Sequence, residues 1–263
     1  MYKDLLDNPL NKRIVFHEDH PEHGRCYLFT NAFGQQQRID GVTTFIKNYC
    51  HPFEATKIAK GVAFKRRRTT GWEGTYKDVL AEWKMEGDLA NEFGDMLHNE
   101  IQDFVDTGEI TDSEIVQAVE DLIKPYDVIA SEFVIINPVM EVATQIDLIL
   151  HDRKSGYVVW DWKTNKRIRF EGFKGQRMLP PFDIYDEAEY YKYSMQISFA
   201  VHTLRKHYKV PVSDQWLHQI VHFRNDLTSN EWPWGDKTYK LYTAFDMTED
   251  FEQYEQELIN NVK

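Results

Sequence analysis

The segment YVVWDWKTNKRIRF, residues 157–170, drives a strand-like apolar run into Asp161, Trp162 and Lys163. Side chains alternate across a strand, so Asp161 and Lys163 share a face and Trp162 takes the other. A second acid, Asp147, stands between Ile146 and Leu148 in TQIDLIL. A carboxylate in a buried strand is costly unless it is paired or bound to a metal. Pairing of the two strands brings Asp147 and Asp161 together, and a divalent cation resolves the repulsion between them. The lysine beside them could position water or stabilise a developing negative charge. Taken singly, each piece has a plainer reading, because an aspartate near a strand end often caps or pairs.

Three more polar residues fall in elements that could meet these strands. His98 lies one helical turn after Gly94, whose missing side chain leaves room above the imidazole. It is either a site histidine or a boundary histidine satisfied by solvent. Glu132 opens the strand-like SEFVII, as a supporting acid or as a polar strand end. Gln196 follows a basic loop, as a site residue or as an ordinary surface glutamine. Residues 163–177 hold six basic residues and one acidic. Beyond Lys163, its cations Lys166, Arg167, Arg169, Lys174 and Arg177 can contact phosphates. Phe170 and Phe173, interleaved with them, can stack on bases. A second basic cluster, KRRR at 65–68, reads as a solvated face.

The elements that must position these residues follow from periodicity. Short strands at 13–16 and 26–30 flank the turn-prone HEDHPEHG. DGVTTFIKNY predicts a turn and then a helix capped by Thr43 or Thr44, with helical sequence to about residue 84. Leu89, Phe93, Leu97, Ile101 and Phe104 predict a longer helix over roughly 87–106, and another covers 112–124 and stops at Pro125. SEFVII, EVATQIDLIL and YVVWDW are three strands separated by turn signals. Residues 166–184, with two glycines and two prolines, predict a mobile loop. A helix follows over 185–208, then strands near 216–223 and 238–245, then a charged helix. This order predicts one α/β (α+β) domain over 1–263 with one central sheet. Within it, 1–86 form an N-terminal hairpin and helical region, 87–210 the core and 211–263 the C-terminal strands and helix.

Composition bounds the function. The 263 residues carry a net charge of −12, which argues against a surface that binds nucleic acid everywhere but not against a local basic channel. No apolar run reaches the length of a membrane span. The N-terminus lacks the apolar core of a signal peptide. The two cysteines, Cys26 and Cys50, cannot build a four-cysteine zinc or iron–sulfur site and suit a reducing cytoplasm.

Set in order, these residues resemble the PD-(D/E)XK nuclease superfamily, most of all its RecB-type and phage or mitochondrial exonuclease branch. Gly94 and His98 match a helical G-x-x-x-H, Ile146-Asp147 an "ID" strand, and Asp161-Trp162-Lys163-Thr164 a D-x-K-T strand. Gln196 matches a glutamine helix, and DGVTTFI resembles a helix start found near the N-termini of such phage proteins. The match covers residues 94–200 well and the N-terminal third loosely. It implies a restriction-endonuclease-like core with a central mixed sheet flanked by helices. It also implies a Mg²⁺- or Mn²⁺-dependent phosphodiesterase acting on DNA, an exonuclease rather than an endonuclease. By resemblance His98, Asp147 and Asp161 bind metal, Lys163 assists the attacking water, Gln196 supports the site, and Glu132 is a supporting acid. Three departures stand out: Asp161 where many members have glutamate, Thr144-Gln145 where a glycine often precedes the "ID", and Ala200 where a tyrosine commonly follows the glutamine. The chain is similar to the members without an iron–sulfur cluster.

Overall fold

The computed structural model describes residue 5 and residues 7–213, 217–225 and 237–261. Strands β1 (Ile14–His20) and β2 (Gly24–Thr30) form the expected hairpin. A third strand, β3 (Gln36–Gly41), pairs antiparallel with β2 and is not apparent in the sequence. Its segment QQQRIDG is polar and buries only Ile39, so backbone pairing rather than side-chain pattern makes it a strand. Helix α1 (Val42–Lys47) starts from the extended Gly41, and Thr43 and Thr44 lie inside its first turn instead of capping it.

Helix α2 (Ala55–Thr70) is followed by α3 (Tyr76–Thr107), which runs unbroken through the boundary expected near residues 84–87. The true break precedes it. Gly71 closes α2 in the left-handed conformation that glycine adopts without strain, and Thr75 and Asp78 form a reciprocal capping box that opens α3. Helix α4 (Glu114–Ile123) stops before Pro125, as expected. Then come β4 (Asp127–Asn137), β5 (Val142–Asp152), β6 (Gly156–Lys163), α5 (Glu189–Lys206), β7 (Gln219–Phe223), β8 (Tyr239–Thr243) and α6 (Thr248–Asn261). Residue 216, where the first late strand was expected to begin, lies outside the described residues.

All eight strands join one mixed sheet flanked by helices, in the order β1-β2-β3-β5-β6-β7-β8, with β4 on the other edge of β5. β5 is therefore central. β4 pairs antiparallel along its length. Its opposite edge is divided: Val142 and Ala143 meet β3 in parallel, and Leu148 to Asp152 meet β6 antiparallel. β6 continues in parallel pairing with β7.

The sheet is covered on both faces. On one, Ile197, Val201 and Leu204 of α5 pack on Ile149, Tyr157, Val159 and Ile220. On the other, Leu97 and Ile101 of α3 and Val119 and Ile123 of α4 pack on Leu148, Val158, Trp160, Trp162 and Val221. Burial from both sides accounts for the uninterrupted apolar run that leads into Asp161. Each such side chain stabilises the fold by about 1.5–3 kcal/mol relative to exposure. Residues 166–184 are irregular, as expected, but not loose: Ile168, Met178 and Phe182 are buried and pin the segment to the core. Among the described residues no helix is long and apolar enough to cross a membrane. Cys26 and Cys50 are free thiols.

Candidate metal centre

The last β5–β6 pair toward the site is Leu148 with Trp160; Asp147 and Asp161 lie just beyond it, where the strands part. Asp147 still ties the two together, because its Oδ2 accepts the backbone N–H of Trp162 at 2.7 Å. Glu132 stands across from Asp147, between the register pairs Ser131–Leu148 and Phe133–Ile146. Its φ of 48° breaks the extended backbone of β4. Two carboxylates facing each other across a ladder repel. His98, one helix away, answers that repulsion: Nδ1 lies 2.9 Å from Glu132 Oε1 and Nε2 lies 3.8 Å from Asp147 Oδ2.

Ligand atoms of His98, Glu132 and Asp147 all lie within 4.8 Å of one another, so this trio could hold a metal ion. Glu132 thus takes the place among the grouped atoms that the sequence reading gave to Asp161. Asp161 is instead ion-paired through Oδ2 with Lys163, whose ammonium also lies 4.9 Å above the ring of Tyr193. As expected, Asp161 and Lys163 share one face and Trp162 takes the other; the first two turn toward α5, and Trp162 packs beneath α3. Gln196 also reaches the site, lining a small void with Asp147, Asp161 and Ala200.

Burial and charge set the proton affinities. Burial raises the Asp161 pKa to about 6, against the opposing pull of Lys163. Burial likewise raises Asp147, opposed by His98 and Lys163. For His98, burial favours the neutral ring, but Asp147 and Glu132 outweigh it and lift the pKa to about 9. Lys163 loses to burial and gains more from Asp161 and Asp147, so it remains an ammonium. The site sets two buried carboxyls against one imidazolium and one ammonium that border the open cleft, with Glu132 beside them.

Three placements were beyond the sequence reading. Gly94 faces Thr164, since a Cβ there would meet Thr164 Oγ1 at 3.4 Å and no atom of the His98 ring within 4 Å; the glycine makes room for the end of β6 and not, as expected, for the imidazole. Tyr193, three residues before Gln196 on the same helix face, lines the site, and that spacing was a signal the sequence offered. Tyr27 of β2 lines it too, with nothing local in the sequence to say so.

The site opens into a cleft of about 1140 Å³, walled by β1–β3, the start of α1, the middle of α3 and the end of β6. None of Lys166, Arg167, Arg169, Phe170, Lys174 and Arg177 lines it. Lys166 and Arg167 are exposed directly after Asn165, which does. Arg169 is held by Glu189 at the start of α5, with Nε 2.9 Å from Oε2. Phe170 leans on Tyr190 at 4.5 Å. Lys174 covers the exposed Phe173 at 5.4 Å, and Arg177 bridges to Asp186 through the backbone. The basic loop therefore spends Arg169 and Phe170 on anchoring itself.

No protein-family model matches the chain, and no curated protein matches it.

Proposed function

We propose that the chain is a Mg²⁺- or Mn²⁺-dependent phosphodiesterase acting on DNA, cutting from ends rather than internally. The observation that carries this reading is the meeting of His98, Glu132 and Asp147 beside the Asp161–Lys163 pair, at the floor of an open cleft. One imidazole and two carboxylates suit a hard divalent cation. His98, Glu132 and Asp147 would hold it, with Asp161 adjacent. When bound, such an ion polarises a phosphoryl oxygen and lowers the pKa of a ligated water.

The chain's own groups do the rest. Lys163, kept protonated by its carboxylate neighbours, serves as a fixed positive charge for the developing phosphorane, not as a base. Asp161, with a pKa of about 6, is largely ionised near neutrality and matched to accept a water proton at its carboxylate. Asp147 holds β6 in register with β5 through Trp162 and so fixes both residues. Gln196 and Tyr193 line the cleft from α5 and would border the scissile group.

One observation favours a second reading, a catalytically inactive module of the same fold that binds DNA or protein: Lys163 occupies Asp161 as an ion-pair partner, as a purely structural pair would. A gel assay separates the two. End-labelled single-stranded, duplex and circular DNA are incubated with Mg²⁺, Mn²⁺ or EDTA, beside Lys163→Ala. Metal-dependent loss of linear DNA that spares circles and vanishes in the variant supports the exonuclease. Absence of cutting under either metal leaves the binding module.

A further inference from the structure

Helix α2 has six basic residues, Lys57, Lys60, Lys65, Arg66, Arg67 and Arg68, and no acidic one. It packs by a narrow seam, Ala59, Ala63 and Val62, against Val79, Tyr76 and Leu80 of α3, in a small apolar cluster separate from the main core. Its outer face is built differently. At helical spacing Lys57, Phe64 and Arg68 fall in one row opposite that seam, with Lys60 and Lys65 beside them. Phe64 is 63% exposed, and Phe53 just before the helix is 69% exposed. Arg68 lies over the Phe64 ring at 5.8 Å.

Two facts separate this face from an ordinary solvated one. Arg66 pairs with Glu82 and Lys57 with Glu54, but Lys60, Lys65, Arg67 and Arg68 have no ion pair among the described residues. Neighbouring α3 carries nine acidic residues against two basic, so the charge of the hairpin is sorted helix by helix rather than mixed. The second fact is Gly61, inside the outer row. A mid-helix glycine costs about 1 kcal/mol relative to alanine. A Cβ at Gly61 would meet nothing within 4 Å, so no packing within the chain requires the glycine. A bare backbone between cations and exposed rings admits close approach of a polyanion that also has flat faces.

We infer that α2 is a nucleic-acid-binding arm that grips single-stranded DNA upstream of the cleft. The inference rests on the DNA phosphodiesterase reading above and extends it. Cations row against phosphates, and Phe53 and Phe64 stack on bases. α3 connects the two places: its residues from Ala90 to Gln102 line the cleft, while its first turns carry α2. From Tyr76 to His98 the helix spans about 33 Å.

The test is binding by fluorescence anisotropy in EDTA, with labelled oligothymidylates of about four and about twenty nucleotides, a range that brackets common single-strand site sizes. The parent is compared with the Lys57→Ala/Lys65→Ala/Arg68→Ala triple variant. None of the three packs in the hairpin seam. The long strand should lose about tenfold in affinity, and its salt slope should become shallower by about 2, three contacts at about 0.7 each. The four-nucleotide strand should be unaffected. Phe64→Ala should weaken the long strand without changing the slope. Hydrolysis of bis(p-nitrophenyl) phosphate with Mn²⁺, which needs only the cleft, should be equal in parent and triple variant. Equal affinity and slope for the long strand in parent and triple variant overturns the arm, and the nuclease reading survives if the small diester is still cut. Arm-dependent binding without any hydrolysis sinks the nuclease reading alone. A parent that binds no DNA sinks both.

Discussion

Asp147 Oδ2 takes the backbone N–H of Trp162 at 2.7 Å, across the point where β5 and β6 cease to pair. An acid that looks expensive in a buried strand therefore has a structural task as well as a chemical one. Asparagine can accept the same N–H without the charge that Glu132 and Asp161 repel. In EDTA, Asp147→Asn should melt higher than the parent, by about 1 kcal/mol, and Asp147→Ala lower by a similar amount, because the N–H loses its acceptor. Both should lose DNA cleavage. Thermal melts in EDTA check the order; an asparagine variant less stable than alanine would refute the task assigned to Oδ2.

Metal binding should release protons. His98 holds a proton up to a pKa of about 9, raised from 6.5, and must give it up to become a ligand. The protonated, metal-free form dominates below pH 9, so affinity for Mn²⁺ should rise as pH rises from 6 to 9. Titration calorimetry at pH 7 in buffers of different ionisation enthalpy should count about one proton per ion. His98→Gln should abolish that proton and weaken the metal. The His98–Glu132 pair itself should stabilise the metal-free fold fully below pH 6.5, and this contribution should vanish as pH climbs through about 9.

Gly94 offers a graded test of the α3–β6 contact. A methyl group there would just touch Thr164 Oγ1 at 3.4 Å. Gly94→Ala should keep activity and gain up to about 1 kcal/mol from helix propensity. Gly94→Leu should displace Thr164, and with it Lys163, and lose most of kcat while the protein stays folded. Circular dichroism and initial rates on one DNA substrate distinguish the two.

Away from the site, Glu255 of α6 is fully buried and accepts from Asn137 Nδ2 at 2.8 Å, with His202 Nε2 at 2.7 Å and His207 Nε2 at 3.2 Å. Burial alone would raise its pKa, but these partners hold it far below the usual 4.5. A depressed acid contributes stability above its ordinary value and loses it only as pH falls through the depressed one. Glu255→Ala should cost about 3–5 kcal/mol at neutral pH, because the buried partners are left unsatisfied, and should make acid unfolding begin at higher pH. Urea melts at pH 7 and pH 4 measure both.

Much of this was legible in the sequence. The chemistry-bearing residues sit on strongly patterned elements: Asp161 ends an apolar run, Asp147 stands between Ile146 and Leu148, and His98 follows Leu97 on a helix of regular period. The faces of Asp161, Lys163 and Trp162 follow from strand alternation alone. What was not legible depends on contacts distant in the chain. β3 exists because β2 and β5 lend it partners, although its side chains are polar. Glu132 joins the metal-ligating group because β4 twists at φ 48°, a conformation no local pattern announces. The basic loop looked like a DNA contact because its composition is basic, yet Arg169 answers to Glu189, twenty residues on. The helix break was misplaced to residues 84–87, whereas the capping signal at Thr75 and Asp78 was available and decisive.

The divided edge of β5 has a consequence for local stability. The β1–β3 meander meets the rest of the sheet through only two register pairs, Asp40 with Val142 and Gly41 with Ala143, backed by apolar contacts of Ile14, Phe29 and Ile39. Such a seam opens at a lower free energy than the central ladder. Amide hydrogens of β3 should therefore exchange with solvent before those of β5 and β6. Exchange in that order would mark the β1–β3 wall of the cleft as a unit that opens separately from the strands that carry Asp147 and Asp161.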